Sequence, residues 1–131
     1  FVQQSLDGAV VFIASRNVTA PGPGASAYSV AKAGLTQLAR VASLELGSYG
    51  VRVNVLHPDC VYDTGLWSDD VLEGRAEKYG MSVEAYKSRN ILKKEVTSRE
   101  VAEMVAAVAG PVFLKTTGAQ IPIDGGNDRV I

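Results

Sequence analysis

Two short apolar runs lie on either side of a loop and a long proline-free stretch, and that arrangement leaves few folds open. Residues 9–14 read Ala-Val-Val-Phe-Ile-Ala, and residues 51–56 read Val-Arg-Val-Asn-Val-Leu. The first run is continuous rather than alternating, which predicts a strand buried on both faces, as in a parallel sheet. Pro58 ends the second. Between them, residues 17–26 hold Pro21, Gly22, Pro23 and Gly24 and form a loop. Residues 25–47 are rich in helix formers and stop at Gly47 and Gly50. Such a helix is about 34 Å long. A strand, a long helix and a strand joined by short turns make a βαβ unit with parallel strands and a right-handed crossover.

The long helix carries two apolar stripes. One passes through Tyr28, Lys32, Leu35, Leu38, Ala39, Ala42 and Leu46, the other through Val30, Ala33, Gly34, Val41 and Leu44. Two stripes predict a helix covered on more than its sheet-facing side. Residues 57–97 are more polar, with short helices expected over 69–79 and, behind Ser82 as N-cap, over 83–91. Thr97 and Glu100 form a capping box for a helix to Ala109. Residues 119–123 are a third strand, closed by Asp124-Gly125-Gly126. The reading is α/β, one domain, with three parallel strands and crossover helices.

Composition narrows the function classes. With 47% hydrophobic and 21% charged residues, the chain is neither collagen-like, coiled-coil nor disordered. Thirteen basic residues face fourteen acidic ones, so nucleic acid or an anionic membrane lacks its usual electrostatic pull. Cys60 is the sole cysteine, which rules out an intrachain disulfide and fits a reducing, cytoplasmic compartment. With His57 as the only histidine, no Cys/His metal cluster is expected. The longest apolar stretch, 104–114, is broken by Gly110 and Pro111 and falls short of the roughly 18 residues of a membrane span. The first residues lack the basic start and apolar core of a signal peptide.

Tyr28 and Lys32 stand four apart and share a helix face. A phenol with a pKa of about 10 is about 4 kcal/mol away from proton transfer at neutrality. An ammonium about 4 Å away, at an effective dielectric of about 20, supplies roughly that much. The alternative is a ring packed under a lysine stem. Ser15 lies at the carboxyl end of the first strand, thirteen residues before Tyr28, where open parallel sheets place their ligand crevice. Its alternative role is to cap the loop.

The string from Ser15 through Pro21 to Tyr28-Ser-Val-Ala-Lys32-Ala33-Gly34 resembles the active-site segment of the short-chain dehydrogenases/reductases. So do residues 51–58, Thr117-Gly118 and Asp124-Gly125-Gly126. The resemblance implies the C-terminal half of a Rossmann-like, doubly wound parallel sheet, with residues 1–131 forming a partial domain. It implies an alcohol–carbonyl oxidoreductase using NAD or NADP. Tyr28 would exchange the substrate proton, Lys32 would lower the tyrosine pKa and hold the nicotinamide ribose, and Ser15 would orient the carbonyl oxygen. Pro58, Asp59 and Val61 would line the nicotinamide pocket. Pro58-Asp59, Trp67, Arg75-Ala76, Tyr79-Gly80, Leu92-Lys93 and Lys115-Thr-Thr-Gly118 also resemble the dehydrogenase part of bifunctional rhamnulose-1-phosphate aldolase/alcohol dehydrogenases, which implies a substrate such as lactaldehyde.

Two departures stand out. Asp59 replaces the glycine usual after that proline, either to bind a polar substrate or as a turn former. The glycine-rich phosphate loop, the selector for the adenosine ribose and the active-site asparagine lie upstream in the family, and the fourteen residues before Ser15 match none of them. Gly22-Pro23-Gly24 lacks the third glycine and reads as a turn. The segment alone is therefore expected to be inactive and to expose an unpaired edge on its first strand. His57 is expected to be structural or pocket-lining, and Cys60 an inert thiol. Trp67, with Leu66, is either a substrate lid or a packing anchor. Family pairing habits imply a homo-oligomer through the 25–47 helix. The competing reading is a non-catalytic scaffold or dimerisation module.

Overall fold

The computed structural model describes residues 1–126. Its elements in order are β1 (Gly8–Ile13), α1 (Ser26–Leu46), β2 (Val51–Pro58), α2 (Asp69–Lys78), α3 (Val83–Lys87), α4 (Ser98–Ala109) and β3 (Gln120–Ile123). Short 3₁₀ turns cover Arg16–Val18, Gly47–Tyr49 and Pro111–Phe113. The three strands form one parallel sheet in the order β1-β2-β3, with Val10 opposite Val53 and Leu56 opposite Ile121. The α/β class with parallel strands and crossover helices stands as expected.

The central position of β2 explains its burial. Val53 and Val55 pack with Ala39 of α1, Ala14 and the flanking Val10, Phe12, Ala42 and Leu46. Residues of the opposite parity face α4, because side chains alternate across a strand. Arg52 donates there to the carbonyls of Val108 (3.0 Å) and Ala109 (2.9 Å), satisfying acceptors that a helix C-terminus leaves open. Asn54 is almost fully buried and uses both ends of its amide. It donates to the Thr116 carbonyl at 2.9 Å and accepts from the Ala119 amide at 3.0 Å. It thereby fixes the turn that feeds β3 beside β2.

Several expectations need correction. β1 is only half-buried, and Ile13 is 39% exposed. A continuous apolar run is fully buried where both faces of the sheet are covered and strands flank it, and among the described residues β1 is an edge strand that pairs with β2 alone. The second strand ends at Pro58 as expected, two residues past the Val51–Leu56 run, and the Asp59 amide takes up the next bond, to the Ile123 carbonyl (3.0 Å). α3 stops at Lys87 instead of reaching residue 91. The Ile91 and Leu92 amides, which a longer helix would use, donate instead to the Gly126 and Gly125 carbonyls at 2.9 Å each.

α1 and the helix before β3 match the sequence closely. α1 runs into the Gly47–Tyr49 turn and stops where Gly50 takes a φ of +76° against the Asp7 side chain, which leaves no room for a Cβ. α4 starts with the full Thr97–Glu100 capping box. Between β2 and α4, Tyr62, Leu72, Ala76 and Tyr86 form a separate small core with Cys60, Trp67 and Val83 packed against it.

Candidate active site at the carboxyl ends of the strands

β1 delivers Ser15 to the tip of the sheet. The ladder's last bond runs from the Ala14 amide to the Leu56 carbonyl (2.8 Å), and Ser15 follows in extended conformation. Its Oγ accepts the Asn17 amide at 3.2 Å, so Ser15 caps the short turn behind it. An oxygen occupied as acceptor keeps its own proton to donate. Capping and donation to a ligand are therefore compatible.

Lys32 lies one helical turn beyond Tyr28, and its Nζ stands 5.9 Å from the centre of the tyrosine ring. The same ammonium donates to the Ile13 carbonyl at 2.9 Å. In a parallel strand successive residues address opposite neighbours. The Ala14 amide faces β2, so the Ile13 carbonyl faces away from it, and Lys32 supplies the donor. Thus α1 and the end of β1 are joined two residues before Ser15. Tyr28 is 47% exposed, with its ring open to an incoming molecule.

The remaining sequence candidates line the end of β2. Pro58 is half-buried and closes the strand. The Asp59 carboxylate accepts the Cys60 thiol at 3.3 Å. Burial, with the Asp59 charge second, pushes the Cys60 thiol up to about 11, which keeps it protonated and unreactive. Val61 pairs with Val96 through an isolated parallel bridge, and its carbonyl accepts the Thr64 hydroxyl at 2.9 Å. Trp67 meets Tyr62 edge to face at 4.9 Å and is a packing anchor of the small core, whereas Leu66 is exposed. Burial also holds the Tyr62 phenol above its ordinary range.

A group of residues holds the strand tips together; of these, sequence reasoning named His57 as structural or pocket-lining and missed the roles of the others. Arg16 and Asp124 form a buried ion pair, Nε to Oδ2 at 2.8 Å, and Arg16 also donates to Thr19 Oγ1 at 3.1 Å. Asp124 Oδ1 accepts the Gly126 amide at 2.9 Å. His57, 4% exposed, lies between the Ser15 carbonyl (Nδ1, 2.9 Å) and the Gln120 side chain (Nε2, 2.7 Å). The signal for Asp124 was its Asp-Gly-Gly string; nothing local marked Arg16 or Gln120. Among the described residues no cluster of His, Cys, Asp and Glu could hold a metal, and no helix is long and apolar enough to cross a membrane.

Residues 2–128 match the family model described as enoyl-(acyl carrier protein) reductase. The chain belongs to the short-chain dehydrogenase/reductase family. It is 38% identical over 128 residues to the uncharacterized oxidoreductase YuxG of Bacillus subtilis, covering 94% of this chain and 19% of that protein. The sorbitol-6-phosphate 2-dehydrogenase SrlD of Erwinia amylovora shares the fold, with a TM-score of 0.83 at 24% identity over 95% of this chain and 50% of the other. A short-chain oxidoreductase of Pseudomonas aeruginosa, solved with NADPH bound, has a TM-score of 0.78 at 29% identity, over 95% and 48%. The chain spans about half the length of these solved relatives, and less of YuxG.

NAD or NADP serves this family, and the residues present fit one end of such a molecule. Ser15, with Lys32 tied to Ile13, stands at the carboxyl end of β1, and Pro58 and Val61 stand at the end of the neighbouring β2. A hydroxyl and an ammonium are groups that suit ribose and carboxamide oxygens. The Gly22-Pro23-Gly24 segment is a turn, with Gly24 at a φ of +84°.

Proposed function

We propose that these residues are the tyrosine-bearing half of a longer NAD(P)-linked oxidoreductase that interconverts an alcohol and a carbonyl. The carrying observation is Lys32, whose ammonium lies 5.9 Å from the centre of the Tyr28 ring and is bonded to the Ile13 carbonyl, so that the cation stands between the phenol and the end of β1 that carries Ser15. The nicotinamide supplies or accepts the hydride. Ser15 donates a hydrogen bond from its hydroxyl to the substrate oxygen and orients it. Tyr28 gives that oxygen its proton in reduction and takes it back in oxidation, and Lys32 keeps positive charge beside the phenol as the proton leaves. Pro58, Asp59 and Val61, at the end of β2, would border the nicotinamide ring when it is bound.

For the substrate we infer a small hydroxy-aldehyde such as lactaldehyde. Support comes from the motif likeness to the bifunctional aldolase/alcohol dehydrogenases and from the 19% coverage of YuxG, a relative several times longer than this chain. Substrate profiling of the full-length protein tests it; lactaldehyde turnover no faster than that of unrelated aldehydes would remove it. For the reaction class the test is Tyr28→Phe in the full-length protein. Turnover falls at least about a hundredfold if Tyr28 moves the proton, and normal turnover overturns the assignment.

A second reading, an association module, draws on the outer stripe of α1. Val30 is 72% and Leu44 83% exposed. We infer that this face pairs two copies of the protein, in an active enzyme or a non-catalytic scaffold alike. Val30→Glu with Leu44→Glu should halve the sedimenting mass; an unchanged mass refutes pairing through α1.

A further inference from the structure

We propose that His57 is a positioning residue that sets the direction of Ser15 by holding its backbone carbonyl; the proposal rests on the oxidoreductase reading above. Ser15 stands beyond the last ladder bond, so the sheet itself no longer fixes its peptide plane. Its own turn contributes the Val18 amide, which donates to the Ser15 carbonyl at 3.1 Å. The second approach to that carbonyl is His57 Nδ1 at 2.9 Å. Between them these two donors occupy both lone pairs of the oxygen.

The chemistry of the partners assigns the proton. A carbonyl oxygen only accepts, so Nδ1 of His57 carries the hydrogen. Gln120 Oε1 lies 2.7 Å from Nε2; a neutral ring with its hydrogen on Nδ1 accepts at Nε2, which a half-turn of the Gln120 amide meets by presenting its NH₂. Val55 lies opposite Gln120 in the sheet, so His57 and Gln120, two residues on along β2, share a face. β1 and β3 are not neighbours, and His57 on the strand between them links Ser15 to β3. At 4% exposure the ring has little water to replace a lost partner. Tilting the Ser15 peptide swings its Oγ, and a displacement of about 1 Å in a reacting group costs up to about a hundredfold in rate.

The experiment uses the full-length protein that carries these residues and has two independent arms. Nitrogen NMR of the His57 ring is expected to find hydrogen on Nδ1 at neutral pH; a bare Nδ1 overturns the proposal without reference to activity. In the kinetic arm, His57→Leu should lower kcat about ten- to a hundredfold with little change in the KM for the nicotinamide cofactor. His57→Asn, whose amide can still donate to the Ser15 carbonyl, should recover most of that loss. Equal losses in the two variants, or full activity in His57→Leu beside an inactive Tyr28→Phe, overturn the positioning role. An active Tyr28→Phe instead strikes the oxidoreductase reading and leaves the NMR result to stand by itself. If His57→Leu does not fold, the Asn variant and the NMR arm decide.

Discussion

The guanidinium of Arg16 meets the carboxylate of Asp124 at 2.8 Å, joining the residue after Ser15 to the end of β3 across the width of the sheet. Both side chains are about nine-tenths buried, so neither charge has bulk water as a substitute partner. Removing one member leaves the other buried without its opposite charge, which costs up to about 3–5 kcal/mol, less where other partners such as Thr19 and the Gly126 amide remain. Arg16→Met and Asp124→Asn should each lower the unfolding free energy by up to that amount in urea titration. The double variant should lose less than the sum of the two. Additive losses would mean that the pair carries no coupling.

Asn54 is a second buried polar group, held through both ends of its amide by Thr116 and Ala119. Asn54→Ala leaves the part-buried Ala119 amide unpaired and the Thr116 carbonyl with only the 3.5 Å approach of Arg52, for a loss of about 1–3 kcal/mol. Denaturant titration measures it. Amide exchange should show the greatest loss of protection at Ala119, where β3 begins.

Lys32 separates chemistry from stability. Its ammonium binds a backbone carbonyl at an exposed site, so Lys32→Met should shift Tm only slightly. Turnover in the full-length protein should fall about a hundredfold or more. A large fall in Tm with proportionate loss of activity would make Lys32 a structural tie alone.

Acid should loosen the start of α4 first. The Ser98 hydroxyl and amide donate to Asp63 and hold its carboxyl below the ordinary range, and the Thr97 backbone and hydroxyl do the same for Glu100. A carboxyl whose folded pKa is depressed stabilises the fold fully above its unfolded pKa, and that contribution is lost as pH falls through the folded pKa. Amide exchange at residues 97–101 should therefore accelerate as pH drops below the ordinary carboxylate range, after correction for intrinsic rates. Asp63→Asn should show a smaller acid response. An unchanged response would place the acid sensitivity elsewhere.

Gly125 takes a φ of +65° with Asn90 directly over it, and its carbonyl accepts the Leu92 amide at 2.9 Å. A methyl group there collides with the Asn90 side chain. Gly125→Ala should cost about 1–3 kcal/mol through backbone strain and that contact. Thermal melts check it, and Asn90→Ala in the same chain should relieve part of the loss.

Much of the fold was legible because its signals are local. β-branched runs, the proline-free span of α1, Gly50 and the Thr97–Glu100 box each act within a few residues. Tyr28 and Lys32 were legible as a pair because a helix brings residues four apart to one face. The burial of β1 and the short α3 were not, since each depends on a distant neighbour: a strand beside Ile13 in one case, the carbonyls of Gly125 and Gly126 in the other.

The amino-acid order alone determined the βαβ frame, the spacing of Ser15, Tyr28 and Lys32, and the family to which they point. Tertiary structure decided where Ser15 is held, because His57, Gln120, Arg16 and Asp124 come from separate strands and loops. The physical reason is the range of the interactions. Helix and strand propensities act along the chain, whereas burying a charge or an imidazole requires partners that only chain packing can bring within hydrogen-bonding distance.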